Sequence, residues 1–185
     1  LIFIFSYMNK KTLYKSSIYI FCLSFLLLFL VPIIGTEIKG SKRWLDLFFL
    51  PRLQPIELVK PFFIITLSLI ISFEKLSNFT LKFAFSLLIT LLIVLLLIVQ
   101  PDLGQTLLIG FSWATLILIS GINLLFLILV IGIGIVLLLY FAFYIPKFEY
   151  IKSRLMSFFD STTGTHNFQS EKAIESITSG GFFGK

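Results

Sequence analysis

The sequence predicts an all-α, polytopic integral membrane protein, and two observations carry that reading. Of 185 residues, 58% are hydrophobic and only 13% charged, with a mean hydropathy of +1.05. A soluble domain of this length needs far more polar surface to cover its core. Several apolar runs also reach the ~20 residues that a helix needs to cross a bilayer. The single cysteine, Cys22, lies within one of these runs, so no disulfide can form within the chain. The net charge of +6 fits acidic partners, or equally a Lys-rich composition anchored to anionic lipid. No repeat, coiled coil or nucleic-acid module is visible.

Taken in order, residues 1–7 (LIFIFSY) are too short to span and read as the end of a preceding helix. Were Met8 the start, MNKKTLYK would be the basic flank of a signal anchor, because no small-residue cleavage site follows the apolar run. The other end, GGFFGK, is a glycine-rich turn that leads nowhere, and the chain reads as a fragment. The first complete span is 16–34, preceded by Lys10, Lys11 and Lys15, and a polar loop occupies 35–54. The apolar run at 61–73 would rise only ~20 Å against a ~30 Å hydrocarbon core. The second span must therefore begin near Pro55 and cover 55–73, which draws Glu57 and Lys60 towards the membrane. A short turn leads to the third span, 83–99, and QPDLGQ opens the fourth, 103–120. SGIN turns into a fifth, 122–145, whose GIGIG is read as helical, with glycines that favour close helix packing. Residues 146–185 form a polar segment with an amphipathic helix at 168–178.

Separating alternate loops puts five Lys and Arg on one side of the membrane and ten on the other. The positive-inside rule places the ten, including those of 35–54, in the cytoplasm.

Each polar group near a span has a structural reading. Pro55 suits the first position of a helix, and Glu57 then lies in the first turn, where the helix dipole favours an acid. Lys60 lies three residues on, so the two can pair on one face, although ionisable groups inside a span are functional candidates by default. Pro61 removes an i→i−4 bond and should bend this helix. Arg43 and Trp44 suit an interfacial belt, and guanidinium beside indole equally suits a sugar–pyrophosphate headgroup. In QPDLGQ, Pro101 takes the first helical position and Asp102 the next, where free N–H groups stabilise a carboxylate, while Gly104 lets another helix approach. Asp102 reads mainly as helix punctuation, with a minor role as counter-charge to Arg43 or Lys60 in a polar groove. His166 has no partner spaced for metal, and Arg154 and Asp160 can pair on a loop surface.

Four stretches now bring a family into view. GTEIKGSKRWLDL, LQPIELVKP, QPDLGQTLL and FQSEKAIESITSGGFFGK match, in order and spacing, the motifs of the SEDS family (shape, elongation, division and sporulation). EIKG before the Arg-Trp pair and LVKP after the glutamate most resemble its division branch, with the elongation branch as runner-up. The resemblance implies a ten-helix inner-membrane glycosyltransferase that polymerises lipid II beside a class B penicillin-binding protein and other division proteins. It implies substrate contacts for Arg43, Trp44, Arg52, Glu57 and Lys60. Structural or minor polar-groove roles fall to Gln54, Pro55, Gln100, Pro101, Asp102, Gly104, Gln169, Gly180 and Gly181. It places the loops 35–54 and 146–185 outside the cytoplasm, against the charge count, because Lys and Arg there would hold a lipid-linked pyrophosphate. The family's catalytic aspartate would lie beyond Lys185, so no catalytic residue and no metal ligand is expected in this chain, which by itself should be inactive. The reaction needs a base and cations, a divalent metal among the options. Ile56, Gln105 and Phe168 depart from the family's usual Ser, Thr and Tyr, and none of these removes a charge. A transporter of the same lipid, or a scaffold that recruits a division partner, are the alternatives.

Overall fold

The computed structural model describes residues 7–38, 41–46, 52–73, 78–145, 148–152, 156, 167–180 and 184. Expectations for residues 1–6, the turn at 74–77, Arg154, Asp160, His166 and Gly181 lie outside them. Contacts divide the chain into two compact units, Leu1–Val130 and Ile131–Lys185.

In the first unit, helix α1 runs Lys10–Ile34. It starts six residues before the expected span, since nothing in KKTLYKS breaks a helix and its lysines can stay at the membrane surface. Pro32 lies inside it, and Gly35 ends it by donating its N–H to the Val31 carbonyl at 2.8 Å. A Cβ on residue 35 would come within 2.3 Å of that carbonyl oxygen, so only glycine fits.

The following segment is not a plain loop, which corrects the all-α expectation. Strands β1 (Thr36–Ile38) and β2 (Ser41–Trp44) pair antiparallel, with Thr36 opposite Trp44 and Glu37 opposite Lys42. An antiparallel bridge between Leu45 and Leu53 follows the hairpin ahead of the next helix. β-Branched and aromatic residues at Thr36, Ile38 and Trp44 supply the strand tendency that the surrounding charges conceal.

Helix α2 spans Pro55–Ile71 with Pro55 at its start and Glu57 in its first turn, as the sequence suggested. Helix α3 runs Phe79–Val99, α4 Leu103–Ile119 and α5 Leu124–Tyr144. Three helices among the described residues are long and apolar enough to cross a membrane: Lys10–Ile34, Thr80–Val99 and Leu124–Tyr144. α2 and α4 have 17 residues each, about 25 Å of rise, and fall short of that length. The molecule is a multi-pass helical membrane protein.

α1 packs along α2, and α3 along α4. Leu28, Val59, Phe63, Leu67, Ile93, Leu97, Ile109 and Ile117 form the buried core between them. Two polar ties pin this core. The Trp113 indole N–H donates to Ser86 Oγ at 3.2 Å, joining α4 to α3. Lys82 Nζ donates to the Ile71 carbonyl at 2.9 Å, satisfying an open acceptor at the end of α2. The outer faces carry Leu88, Leu92, Leu95, Leu107 and Leu118 exposed, as a lipid-facing surface should.

The glycines of GIGIG are helical, and among the described residues a Cβ at Gly132 or Gly134 would meet nothing within 4 Å. In the second unit, Tyr140 stacks on Tyr144, Phe141 meets Phe148 edge-on, and Lys152 Nζ lies 5.6 Å from the Phe143 ring centre. Helix α6 covers Asn167–Gly180, bracketing the expected 168–178, and exposes Ile174 and Ile177.

Candidate functional site

One polar cluster joins the end of α1, the β hairpin, the start of α2 and the turn between α3 and α4. Its centre is Arg43, carried inward on β2. The guanidinium Nε donates to the Gln100 carbonyl at 3.3 Å, Nη2 donates to the Pro101 carbonyl, and Nη1 lies 3.6 Å from Asp102 Oδ2. The last contact is an ion pair rather than a two-pronged hydrogen bond, for which each N···O distance should be nearer 2.9 Å. The side chains of Arg43 and Asp102 are 25% and 9% exposed, so the pair is largely shielded from water.

Asp102 has two tasks. It is the N-cap of α4, where Oδ1 accepts the Gln105 N–H at 3.4 Å, and its second oxygen faces Arg43. The expected register is thus corrected by two residues. Pro101 precedes the cap instead of opening the helix, and Asp102 is the cap instead of the second helical residue. The carboxylate can reach the N–H of the third helical residue only from the cap position. Among the described residues, a Cβ at Gly104 would meet nothing within 4 Å.

The second ion pair lies on α2. Lys60 Nζ is 2.7 Å from Glu57 Oε2, with side chains 22% and 53% exposed. Gln105 bridges the two pairs, because its amide nitrogen donates to Glu57 Oε1 at 3.4 Å while its backbone N–H serves Asp102. Its Oε1 is buried with no partner. Nothing in the residue order signalled this bridging position, where the resembled family usually carries Thr.

Other candidates pair separately or act through the backbone. Arg52 pairs with Asp46 at 3.2 Å, both of them exposed. Trp44 is half-buried and holds the hairpin, its carbonyl accepting from Thr36 Oγ1 at 3.3 Å. Gln54 caps α2 through its carbonyl, which accepts the Glu57 N–H at 3.1 Å, and Pro55 is buried behind it. Gln169 and Gly180 fall within α6.

The arrangement is electrically balanced but mechanically unequal. Arg43 is fixed by two carbonyls and a shielded carboxylate. The two cations are about equally shielded, Lys60 at 22% and Arg43 at 25%, but Glu57 is 53% exposed where Asp102 is 9%, so water reaches the Lys60 pair from its acid side. Among the described residues no three His, Cys, Asp or Glu side chains converge. A recess of about 250 Å³ beside the cluster is lined by Pro32, Glu37, Ser41, Lys42, Val99, Gln100 and Pro101. A larger apolar groove of about 580 Å³, between α2 and α4, includes none of the predicted site residues.

Comparison with known proteins agrees with this architecture. The cell cycle protein family that comprises FtsW, RodA and SpoVE matches residues 1–185. A protein of Caulobacter vibrioides described as a probable peptidoglycan glycosyltransferase FtsW is 27% identical over all of this chain and 46% of its own length. A solved structure described as "Structural coordination of polymerization and crosslinking by a peptidoglycan synthase complex" is similar with a TM-score of 0.68. Its identity is 27%, over 87% of this chain and 47% of that one. The rod shape determining protein RodA of Thermus thermophilus gives a TM-score of 0.62 at 29% identity, over 74% of this chain and 44% of its own. The chain spans under half the length of these relatives.

Proposed function

Because this chain belongs to the FtsW/RodA/SpoVE family of cell cycle proteins, we propose that it forms part of a peptidoglycan glycosyltransferase that polymerises lipid II during cell division. The observation that carries this reading is the pair of unequal cations. Transfer from a lipid-linked pyrophosphate releases negative charge, and preorganised donors that meet it lower the barrier. Lys60 is the cation free to engage that anion, and Arg43 is the fixed one. Glu57 holds Lys60 in place until the anion arrives. Asp102 and Glu57 are committed to capping and pairing, so neither is proposed as the base.

The same reading extends to the surroundings. α2 and α4 would complete five spans of a ten-helix fold, tilting little and thinning the bilayer to offset their short length. The loops 35–54 and 146–185 would face outside the cytoplasm of a bacterial inner membrane, at the division site. The similar complex that couples polymerization to crosslinking supports a class B penicillin-binding protein as partner.

The test is a full-length family member carrying this sequence, placed in nanodiscs with fluorescent lipid II and a crosslinking partner that lacks its own polymerase. Glycan ladders are expected. Lipid movement between leaflets without polymer would replace this reading with transport.

Orientation is checked separately, with single cysteines at Ser41 and Ser77 in a Cys22-free variant. An impermeant thiol reagent on intact cells should label position 41 and spare 77. The reverse pattern would restore the cytoplasmic placement that the charge count favours.

A further inference from the structure

A proline one helix away determines what holds Arg43. Pro32 has no N–H, so the Leu28 carbonyl, four residues earlier in α1, has no donor from its own helix. Leu28 is fully buried, and in a membrane helix such an acceptor must find another partner. The partner is Gln100, whose Nε2 donates to the Leu28 carbonyl at 3.1 Å from a side chain that is itself buried. The backbone of the same residue faces the other way, its carbonyl accepting from Arg43 Nε at 3.3 Å, with the next carbonyl, that of Pro101, accepting from Nη2.

We propose that Gln100 is a positioning residue for Arg43: its amide, held by the carbonyl that Pro32 releases, fixes the turn whose two carbonyls orient the guanidinium. The geometry connects α1 to the cluster through one side chain. An α3–α4 turn without that anchor keeps Asp102 as a cap but loses the fixed direction of its carbonyls. Arg43 then holds only the 3.6 Å ion pair, which orients a guanidinium poorly.

A merely structural role is separable from this one. If Gln100 serves only to satisfy Leu28, then giving residue 32 an N–H should make it dispensable. Pro32→Ala does so, since alanine can donate to Leu28 within α1. The variants are Pro32→Ala, Gln100→Leu and the double, each in a full-length family member in nanodiscs. The readout is the rate at which phenylglyoxal modifies Arg43, followed by mass spectrometry. Arg52, 62% exposed, is the reference on the same molecule. In Gln100→Leu and in the double variant, Arg43 should react about tenfold faster, the opening expected from one lost buried bond, with Arg52 unchanged. Wild-type protection of Arg43 in the double variant would overturn the proposal. Should Gln100→Leu alone fail to fold, the double variant still decides, because it leaves no carbonyl unsatisfied. The modification rate involves no polymerisation, so it is decided separately from the proposed function on which the importance of Arg43 rests.

Discussion

Lys60→Gln in a full-length family member is expected to abolish glycan polymerisation while membrane levels stay normal. The structural loss should be modest, because among the described residues the Lys60 ammonium pairs with Glu57, whose carboxylate is 53% exposed. The functional loss is large. A charge-assisted bond to phosphate is about twice as strong as a neutral one, and deleting one preorganised donor at developing charge typically costs about 10²–10³ in rate. Lys60→Arg should retain a part of the activity, since the charge survives but the compact point charge does not. The measurement is the yield of glycan from fluorescent lipid II, normalised to folded protein by size-exclusion profile. Full activity in the glutamine variant would reduce the pair to a helix-surface salt bridge and leave Arg43 without its proposed exchangeable companion.

What could be read from the residue order, and what could not, follows from range. Pro55 and Glu57 marked the start of α2 correctly, because a proline without a donor and an acid near free N–H groups are local preferences. The Glu57–Lys60 contact was equally legible, since three residues along a helix fix proximity. The start of α1 was missed because an apolar window ignores lysines that a helix tolerates at the membrane surface. The hairpin was hidden because its strands are three and four residues long, too short for an alternating pattern to register against the charges. The Arg43–Asp102 pair could be named only as an option, since α2 and α3 intervene and only the packed structure joins them. The Gln100–Leu28 bond was not foreseen at all, although Pro32 signalled that one carbonyl of α1 would need a partner. At Gly104, Gly132 and Gly134, which the sequence suggested for packing, no described neighbour comes within 4 Å of a Cβ placed there.

Asp102→Ala is expected to give the largest loss of stability of any single change in the cluster, and Asp102→Asn a loss smaller by about the 1 kcal/mol that the cap contributes. Removing the carboxylate deletes the α4 cap, at about 1 kcal/mol. It also leaves a guanidinium that is only 25% exposed facing no counter-charge, and breaking fully buried pairs costs about 3–5 kcal/mol. Arg43 keeps its two carbonyl acceptors and some solvent, so the combined cost should be about 2–4 kcal/mol. At 2–4 °C per kcal/mol for a chain of this size, the midpoint should fall by about 5–15 °C. Asparagine caps a helix about as well as aspartate and fits the same space, so Asp102→Asn loses only the charge. The two variants therefore separate punctuation from chemistry. Thermal unfolding in detergent, followed by tryptophan fluorescence, should rank them wild type, Asn, Ala. Polymerisation per folded molecule should stay within a few-fold of wild type in the Asn variant, because an amide can still accept the Gln105 N–H and Gln100 still sets the turn. An Asn variant that keeps its midpoint but loses all polymer would make the Asp102 carboxylate part of the reaction, and the capping account would then describe only how it is held.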